Sequence, residues 1–197
     1  MHPNRKFHLE DQAEMAVMVR ALGFGTIFVQ APEGPRAVHV PVLVEGERLL
    51  FHCSRRNLVH DPLVAGTTAL FVATGPHAYI SPDWYGLEGR VPTWNYLAVE
   101  LEGPVRPIGR EETIRLLDAL SAEQEALLAP KPAWTRDRIS GELFETLLNG
   151  ITAFEMNVTA WRGTAKMDQD KPREVRARIA DALAARGDRA TAEAMRE

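Results

Sequence analysis

The amino-acid sequence predicts a mainly antiparallel β-barrel with helical additions, and three features of the chain lead to that fold class. Short β-rich runs separated by turn residues fill the first 108 residues, a helical period follows, and strand character returns near residue 151. The connections between the strands before residue 56 are too short to hold the helices that parallel strands need. We therefore predict that the late strand completes an antiparallel sheet and removes an exposed edge.

Composition places the chain among folded globular proteins. Of its 197 residues, 45% are hydrophobic and 25% are charged, which leaves enough apolar surface to bury a core. A single cysteine, Cys53, excludes an intramolecular disulfide, and we predict that its thiol is buried and inert. No apolar run approaches the roughly 20 residues that cross a bilayer, and the first residues turn acidic where a signal peptide would be apolar. We therefore expect a cytoplasmic location and no membrane partner.

The first segments carry one helix signal and then three strand signals. Asp11 and Glu14 have the spacing of a capping box, and the apolar residues that follow predict a helix over 11–22 that ends at Gly23. Short strands joined by tight turns come next and predict an antiparallel meander. Their predicted ranges are 26–30, 38–44 and 49–53.

The rest of the chain predicts strands, then helices, then a final strand. Strands are expected at 67–73, 96–101, 105–108 and 151–159, with a bend at Gly103 and Pro104. Helices are expected at 57–65, 111–129 and 141–149, and along 174–197, which is rich in Ala, Arg and Glu. We therefore divide the chain into a barrel domain, residues 1–165, with a helical insertion at 111–149, and a helical extension at 166–197.

The segment 75–96 is unusually dense in aromatic and polar side chains. It contains two tryptophans, three tyrosines, one histidine and three prolines. Aromatic rings beside hydroxyl, imidazole and amide groups can form a stacking wall with directed hydrogen bonds for a planar polar ligand. The alternative is an ordered loop whose Trp and Tyr side chains plug the end of a barrel, and composition does not separate the two interpretations.

A second candidate site follows the strand predicted at 49–53. Ser54, Arg55, Arg56 and Asn57 stand there, at the predicted start of a helix. A hydroxyl, guanidinium groups and free amides at a helix N-terminus together suit a phosphate group. The alternative, a solvated pair of arginines after a strand, is the more common arrangement.

These segments resemble the PaiB-type family, which is described as FMN-binding negative transcriptional regulators. The runs GPHAYISPDWY and VPTWNY look like the family's signature, and FGTIFVQ, AVHVPVLV and LLFHCSRRNL are similar to its first strands and its phosphate-side turn. The run ITAFEMNVTAWRGTAKMDQDKP resembles the family's returning strand and the lysine-rich segment that closes the family pattern. The resemblance implies an antiparallel split β-barrel of the FMN-binding, pyridoxamine-phosphate-oxidase-like type, and a homodimer with FMN at the subunit interface.

The resemblance also implies which residues hold the cofactor. On the phosphate side these are Ser54, Arg55 and Asn57. On the flavin side they are His77, Tyr79, Ser81, Trp84, Tyr85, Trp94 and Asn95, and the closing segment adds Lys166 and Gln169. A phosphate dianion needs guanidinium and hydroxyl donors, and an isoalloxazine ring needs an apolar wall with hydrogen bonds at its edge, so the residue types agree with the implied cofactor.

One departure from the family pattern concerns charge. Where the family reads Lys-x-Lys-Leu-Ser-Gln-Asn-Arg, this chain reads TAKMDQDK over residues 164–171, so Asp168 and Asp170 replace neutral residues. If this segment approaches the cofactor phosphate, the two carboxylates would repel it.

Two functional classes follow from the resemblance: a flavin-binding regulator or sensor, and a flavin-dependent oxidoreductase in which FMN carries the electron chemistry. A haem-binding or cofactor-free relative is a third interpretation, since histidine is a usual axial ligand. The six histidines show no zinc-site spacing, so no protein-bound metal is expected. Residues 166–189 hold seven basic and five acidic side chains, which predicts a solvated helix, and DNA binding rests on the family description alone.

Overall fold

The computed structural model describes residues 1–196. In these residues the strands are β1 (His8–Leu9), β2 (Phe24–Ala31), β3 (Gly34–Glu45), β4 (Arg48–Ser54), β5 (Thr68–Ile80), β6 (Thr93–Pro107), β7 (Ile151–Asn157) and β8 (Ala160–Lys166). The helices are α1 (Gln12–Leu22), α2 (His60–Val64), α3 (Arg110–Ala126), α4 (Gly141–Asn149), α5 (Arg173–Ala185) and α6 (Arg189–Ala194). Short 3-10 helices occur at Arg5–Phe7, Pro82–Tyr85 and Arg136–Arg138. No helix in this part of the chain is long and apolar enough to cross a membrane.

Backbone contacts divide the chain into two compact units. The first unit comprises Met1–Met18, Thr74–Glu100 and the chain from Arg162 onward, and the second comprises Val19–Ala73 and Leu101–Trp161. Strands β5 and β6 each have one end in each unit. The segment that the sequence predicts as a C-terminal extension therefore belongs to the first unit.

The sheet closes on itself. Its strands are hydrogen-bonded in the order β1-β8-β6-β5-β2-β3-β4-β7, and β7 also pairs with β6. The strands from β6 to β7 in this order therefore form a ring, with β8 and β1 added beside β6. Antiparallel pairing joins β1 to β8, β2 to both β3 and β5, β3 to β4, and β7 to both β4 and β6. The predicted fold class, an antiparallel split β-barrel with helical additions, is confirmed.

The predicted meander and returning strand both lie in the second unit. β2 pairs with β3, and β3 pairs with β4, each in antiparallel register. β7 then pairs with the whole length of β4, from Arg48↔Asn157 to Ser54↔Ile151. The same strand pairs with the end of β6 through Val105↔Met156 and the two pairs that follow. The returning strand thus covers two edges that the earlier strands leave open.

Alternation along the strands fills the ring with apolar side chains. β2 buries Ile27 between Phe24 and Phe28, which are exposed. Phe51 and Phe154, from directly paired positions of β4 and β7, are fully buried and stacked with ring centroids 5.5 Å apart. Because alternate residues point to opposite faces, these positions show which face of each strand is inside.

The two strands predicted at 96–101 and 105–108 form one strand, since β6 continues through Gly103 and Pro104. The glycine is required by a close contact. A Cβ atom at this position would lie 1.9 Å from the carbonyl oxygen of Asn157, at the end of β7. The two backbones therefore approach too closely for any side chain.

The tail and two strands also differ from the prediction. The tail forms α5 and α6 rather than one helix, because the chain between them passes through Gly187 with a φ of 97°. Strands β1 and β8 were not predicted. β8 reads AWRGTAK, whose small and charged residues give no apolar alternation, and it pairs with β1 through His8↔Thr164.

The aromatic segment is part strand and part connection. β5 continues to Ile80 and β6 begins at Thr93, and the residues between them form a connection that includes the 3-10 helix Pro82–Tyr85. Trp84 and Tyr85 of this connection pack into the buried cluster of the first unit, whereas His77, Tyr79 and Trp94 lie on the strands. Strand geometry fixes which of its side chains face outward.

Helices α3 and α4 form the predicted insertion within the second unit. α3 packs over the outer face of the meander, where the buried residues are Leu43, Leu50, Leu116, Leu120 and Ala153. Ser140 caps the start of α4, because its hydroxyl accepts a hydrogen bond from the amide of Leu143. The core of the first unit is separate and gathers the C-terminal helices around Ala78, Ile80, Tyr85, Met167, Val175, Ile179, Leu183 and Met195.

Candidate functional site

Three predicted flavin-side residues form an exposed aromatic face in the first unit. His77 and Tyr79 lie on one side of β5 because they alternate with the buried Ala78 and Ile80. The centroid of the Trp94 ring, on β6, lies 6.4 Å from that of His77 and 6.2 Å from that of Tyr79. Tyr79 is 39% exposed and Trp94 is 55% exposed, so the aromatic face is open to a ligand.

Polar groups beside the aromatic face are held in place by backbone carbonyls. The Lys166 ammonium donates to the carbonyl oxygen of Trp94 at 2.8 Å and to the hydroxyl of Thr93. Nδ1 of His77 lies 3.0 Å from the carbonyl oxygen of Gly75, which can only accept, so Nδ1 carries a proton. In the neutral ring Nε2 is then an acceptor. The aromatic face therefore has a positioned cation and a ring acceptor next to it.

Two further predicted residues make local contacts in the same unit. Oγ of Ser81 accepts a hydrogen bond from the amide of Asp83 at 3.4 Å and caps the 3-10 helix that follows. Trp84 packs against the buried cluster of the C-terminal helices, and the Arg186 guanidinium lies 5.9 Å from its ring centroid. Both side chains are partly buried, so they offer less surface to a ligand than the aromatic face does.

Tyr85 and Asn95 are buried and meet at a residue that the sequence did not assign to the site. The Tyr85 hydroxyl donates to Oδ2 of Asp168 at 2.9 Å, and the Asn95 amide donates to the same oxygen at 3.0 Å. Burial and the Asp168 carboxylate raise the pKa of Tyr85, so its hydroxyl stays protonated and donates. Asp168 itself has a φ of 53°, a left-handed conformation that Asp tolerates. The role of Tyr85 and Asn95 beside a flavin stays a prediction.

The two acidic replacements in the closing segment both have donors. Asp168 faces the two donors just described. The Asp170 carboxylate accepts hydrogen bonds from Lys6 at 2.8 Å and from Lys171 at 3.1 Å. Both bonds lower the pKa of Asp170, and the bond from Lys6 has the larger effect. Oε1 of Gln169 accepts from a backbone amide at 2.9 Å. Lys6 and Lys171 therefore offset the charge of Asp170, whereas Asp168 is buried and accepts from neutral donors.

The predicted phosphate-side residues lie in the second unit, where β4 ends. Nε of Arg55 donates to the carbonyl oxygen of Ile151 at 2.9 Å, and its terminal nitrogens make no hydrogen bond to residues 1–196. Ser54 and Arg56 are exposed, and Asn57 is partly buried. The guanidinium group of Arg55 is thus anchored at one end and open at the other.

The amides of the turn itself are already bonded. The predicted helix over 57–65 forms only over His60–Val64. The amide of Arg55 donates to Gly150, that of Arg56 to the hydroxyl of Ser54, and that of Asn57 to the carbonyl oxygen of Ser54. These three amides are therefore not available to an anion, whereas the side chains of the turn are.

Cys53 and the histidines add no further site of the kinds considered. Cys53 is buried, as predicted, and burial raises its pKa to about 11, so its thiol is protonated at neutral pH. Within residues 1–196, no three His, Cys, Asp or Glu side chains are grouped so that they could hold a metal ion.

The donor chemistry of both residue groups fits FMN. The open end of Arg55 supplies the charge-assisted hydrogen bonds that a phosphate group requires. The aromatic face supplies apolar ring surface, with Lys166 as a positioned donor beside it. Arg55 therefore suits the phosphate group of FMN, and the aromatic face suits its ring.

Comparison with known proteins agrees with this chemistry. Residues 1–160 match the protein family described as "Putative FMN-binding domain". The protease synthase and sporulation protein PAI 2 of Bacillus subtilis is 27% identical over 175 residues, which cover 87% of this chain and 83% of that protein. An uncharacterized protein of Saccharomyces cerevisiae is 33% identical over 103 residues, which cover 47% of this chain and 61% of that protein.

Solved structures share the fold. A FAD and heme binding protein from Mycobacterium smegmatis superposes with a TM-score of 0.61 at 16% identity, covering 85% of this chain and 78% of its own. A flavocytochrome from Azotobacter vinelandii superposes with a TM-score of 0.60 at 12% identity, covering 84% of this chain and 72% of its own. The family match spans well over half of the chain, and the sheet closes as a split barrel. The chain therefore belongs to the FMN-binding domain family and is a flavin-binding split-barrel protein.

Proposed function

We propose that this protein binds FMN through the residues described above and acts as a regulator or sensor of the PaiB type. The observation that carries the proposal is the exposed aromatic face of His77, Tyr79 and Trp94, because large rings exposed together mark a binding surface. The isoalloxazine ring is planar and has a polar edge, which suits aromatic rings with Lys166 beside them. The regulatory role is supported only by the resemblance to the PaiB-type family and by the likeness to the protease synthase and sporulation protein PAI 2.

The phosphate group of FMN is assigned to the turn 54–57. Its amides are bonded within the protein, so the side chains of Arg55 and Ser54 are the groups that would contact the phosphate. When bound, FMN supplies the electron-accepting chemistry, and the residues of this chain hold and orient it.

Replacing Trp94 tests the aromatic face. Trp94→Ala is expected to weaken FMN binding about two- to tenfold, because a stacked aromatic pair contributes roughly 0.5–1.5 kcal/mol beyond its buried area. The measurement is a titration of flavin fluorescence with the purified protein. Val17→Ala is the control, since Val17 is an exposed apolar residue on α1 of the same unit. Equal affinities of Trp94→Ala and the unchanged protein would contradict the assignment.

We also propose a homodimer in which the outer face of β2 contributes to the interface. Phe24 is 54% exposed and Phe28 is 41% exposed. The strand register places Phe24 opposite Pro41 and places Phe28 opposite Ala37 and Leu70, so apolar side chains continue across three strands. Monomeric proteins seldom leave such a patch uncovered.

Sedimentation measures this assembly directly. At micromolar concentration the protein should sediment with twice the mass of one chain, and Phe28→Asp should sediment as one chain, since an unpaired buried carboxylate is strongly unfavourable. Val64→Asp, at an exposed apolar position of α2 in the same unit, should remain dimeric. A single-chain mass for the unchanged protein would contradict the proposal.

A flavin-dependent oxidoreductase is the second candidate, favoured by the exposure of Trp94, which leaves room for a substrate to reach a bound ring. Direct DNA contact has less support. On the C-terminal helices, Arg176 donates to the carbonyl oxygen of Met195 at 2.6 Å, and Arg186 pairs with Asp188 at 2.9 Å. These bonds occupy cations that phosphate contacts would need.

Two measurements on the FMN-loaded protein separate the roles. Rapid loss of flavin absorbance on anaerobic addition of NADPH or NADH would favour the oxidoreductase. Salt-dependent, sequence-selective retention of promoter DNA would favour a regulator that contacts DNA itself.

A further inference from the structure

The helical insertion of the second unit contains a pocket that none of the residues assigned to FMN line. Its volume is about 300 Å³, and it is lined mainly by apolar side chains of α3, α4 and the connector between them. The lining side chains used below are His52, Asp118, Ser121, Trp134, Arg136 and Phe144. A wider opening of about 740 Å³ shares all of these except His52, so the pocket is continuous with an entrance.

Aromatic rings form two walls of this pocket, and both are held in position. The amide of Trp134 donates to Glu125 at 2.7 Å, which fixes the connector against the end of α3. The Arg136 guanidinium lies 4.8 Å from the centroid of the Phe144 ring, on α4. Flat, positioned rings favour a planar ligand that can stack between or against them.

Charge within the pocket is already balanced. Arg136 makes two hydrogen bonds to the Asp118 carboxylate, both at 3.1 Å, through Nε and a terminal nitrogen. This bidentate pair leaves neither ion to attract a charged ligand strongly. The pocket therefore suits a neutral molecule.

One polar side chain that lines the pocket has no partner. Neither ring nitrogen of His52 makes a hydrogen bond to any residue in the range 1–196, and of the two only Nδ1 is inaccessible to solvent. Burial lowers the pKa of His52, so its imidazole is neutral at pH 7 and either nitrogen can serve as the donor or the acceptor. Nε2 is therefore the atom that a hydrogen-bonding group of a ligand in the pocket can reach.

We propose that the helical insertion binds a small, neutral, planar aromatic molecule of one or two fused rings that carries one hydrogen-bonding group. The ring lies against Trp134 and Phe144, and the polar group bonds to Nε2 of His52. The volume of about 300 Å³ admits a molecule of that size and not a peptide segment. This site is independent of the FMN site, because it uses different residues.

Calorimetric titration with two probes of the same shape tests the proposal. Indole has one N–H group, and indene is its hydrocarbon counterpart. The full-length protein is expected to bind one equivalent of indole saturably, about fivefold more tightly than indene, which is the ratio that one net hydrogen bond gives. His52→Leu should remove the preference and leave indene binding in place. No saturable binding of indole, or an undiminished preference in His52→Leu, overturns the proposal.

Two more variants locate the probe and guard against misfolding. Ser121→Phe, on α3, fills the pocket from its wall and should abolish binding of both probes while circular dichroism shows an unchanged fold. Trp94→Ala changes the aromatic face of the other unit and should leave indole affinity unchanged. If Trp94→Ala abolishes indole binding, the probe occupies the aromatic face, and the assignment to the insertion is wrong.

Discussion

Arg55→Ala is expected to weaken FMN binding by about 1.5–3 kcal/mol, which is roughly a ten- to hundredfold loss of affinity. Arg55 is anchored by Nε at the carbonyl oxygen of Ile151, and its terminal nitrogens are open. The turn amides are occupied, so the side chain has to supply the charge-assisted bonds. A flavin fluorescence titration of the variant measures the loss directly.

Two controls separate phosphate recognition from general damage to the turn. Arg55→Ala should bind riboflavin, which lacks the phosphate group, as well as the unchanged protein does. Arg36→Ala, at a position on β3 where the guanidinium donates to the carbonyl oxygen of Pro35, should bind FMN normally. An unchanged FMN affinity in Arg55→Ala, or an equal loss for riboflavin, would show that the phosphate does not bind there.

Asp168→Ala is expected to lower the free energy of unfolding by about 3–7 kcal/mol. The variant leaves the buried Tyr85 hydroxyl without its acceptor and removes one partner of the Asn95 amide, and each lost partner costs roughly 1–3 kcal/mol. Alanine at a φ of 53° adds about 1 kcal/mol of backbone strain. Urea unfolding at pH 7 measures the change, with the slope of the transition as a check on the unfolded state.

Asp168→Asn is the matched variant. Asparagine tolerates the left-handed conformation and keeps an oxygen that accepts from both donors. Its loss of stability should therefore be less than half of that of Asp168→Ala. If both variants lose the same amount, the negative charge rather than the hydrogen bonds is what matters at this position.

The elements that could be predicted from the sequence are those whose period is strong. The helix at 11–22, the meander and the helix at 141–149 all have apolar residues at the spacing of their structure, and they form within a few residues of the predicted bounds. β8 was not predicted because its small and charged residues show no alternation of apolar and polar side chains. The break between strands predicted at Gly103 was wrong because glycine allows a close backbone approach within one strand there, which no local pattern reveals.

The residue types of the candidate site could be predicted from the sequence. Which of these residues are exposed to a ligand and which are buried could not. The density of rings in segment 75–96 was compatible with a ligand wall, but only the structure separates the outward Tyr79 on β5 from the buried Tyr85 in the 3-10 helix. The inward orientation of Asp168 depends on contacts with β6 and with Tyr85, which are distant in sequence. A signal did exist, since an acidic residue replaces the neutral residue of the family pattern at that position.

The ring of strands has a consequence for the timing of folding. Arg48 on β4 bonds Glu155 on β7, although 107 residues separate them, so a ribosome adding roughly 5–20 residues per second needs about 5–20 s to deliver the partner strand. During that interval the edge of β4 has no partner, and closing so long a loop slows the search for one. The helices α3 and α4 are synthesised within the same interval. Leu116 and Leu120 can therefore cover the Leu43 and Leu50 surface before the last strand arrives, which shields the growing sheet from aggregation.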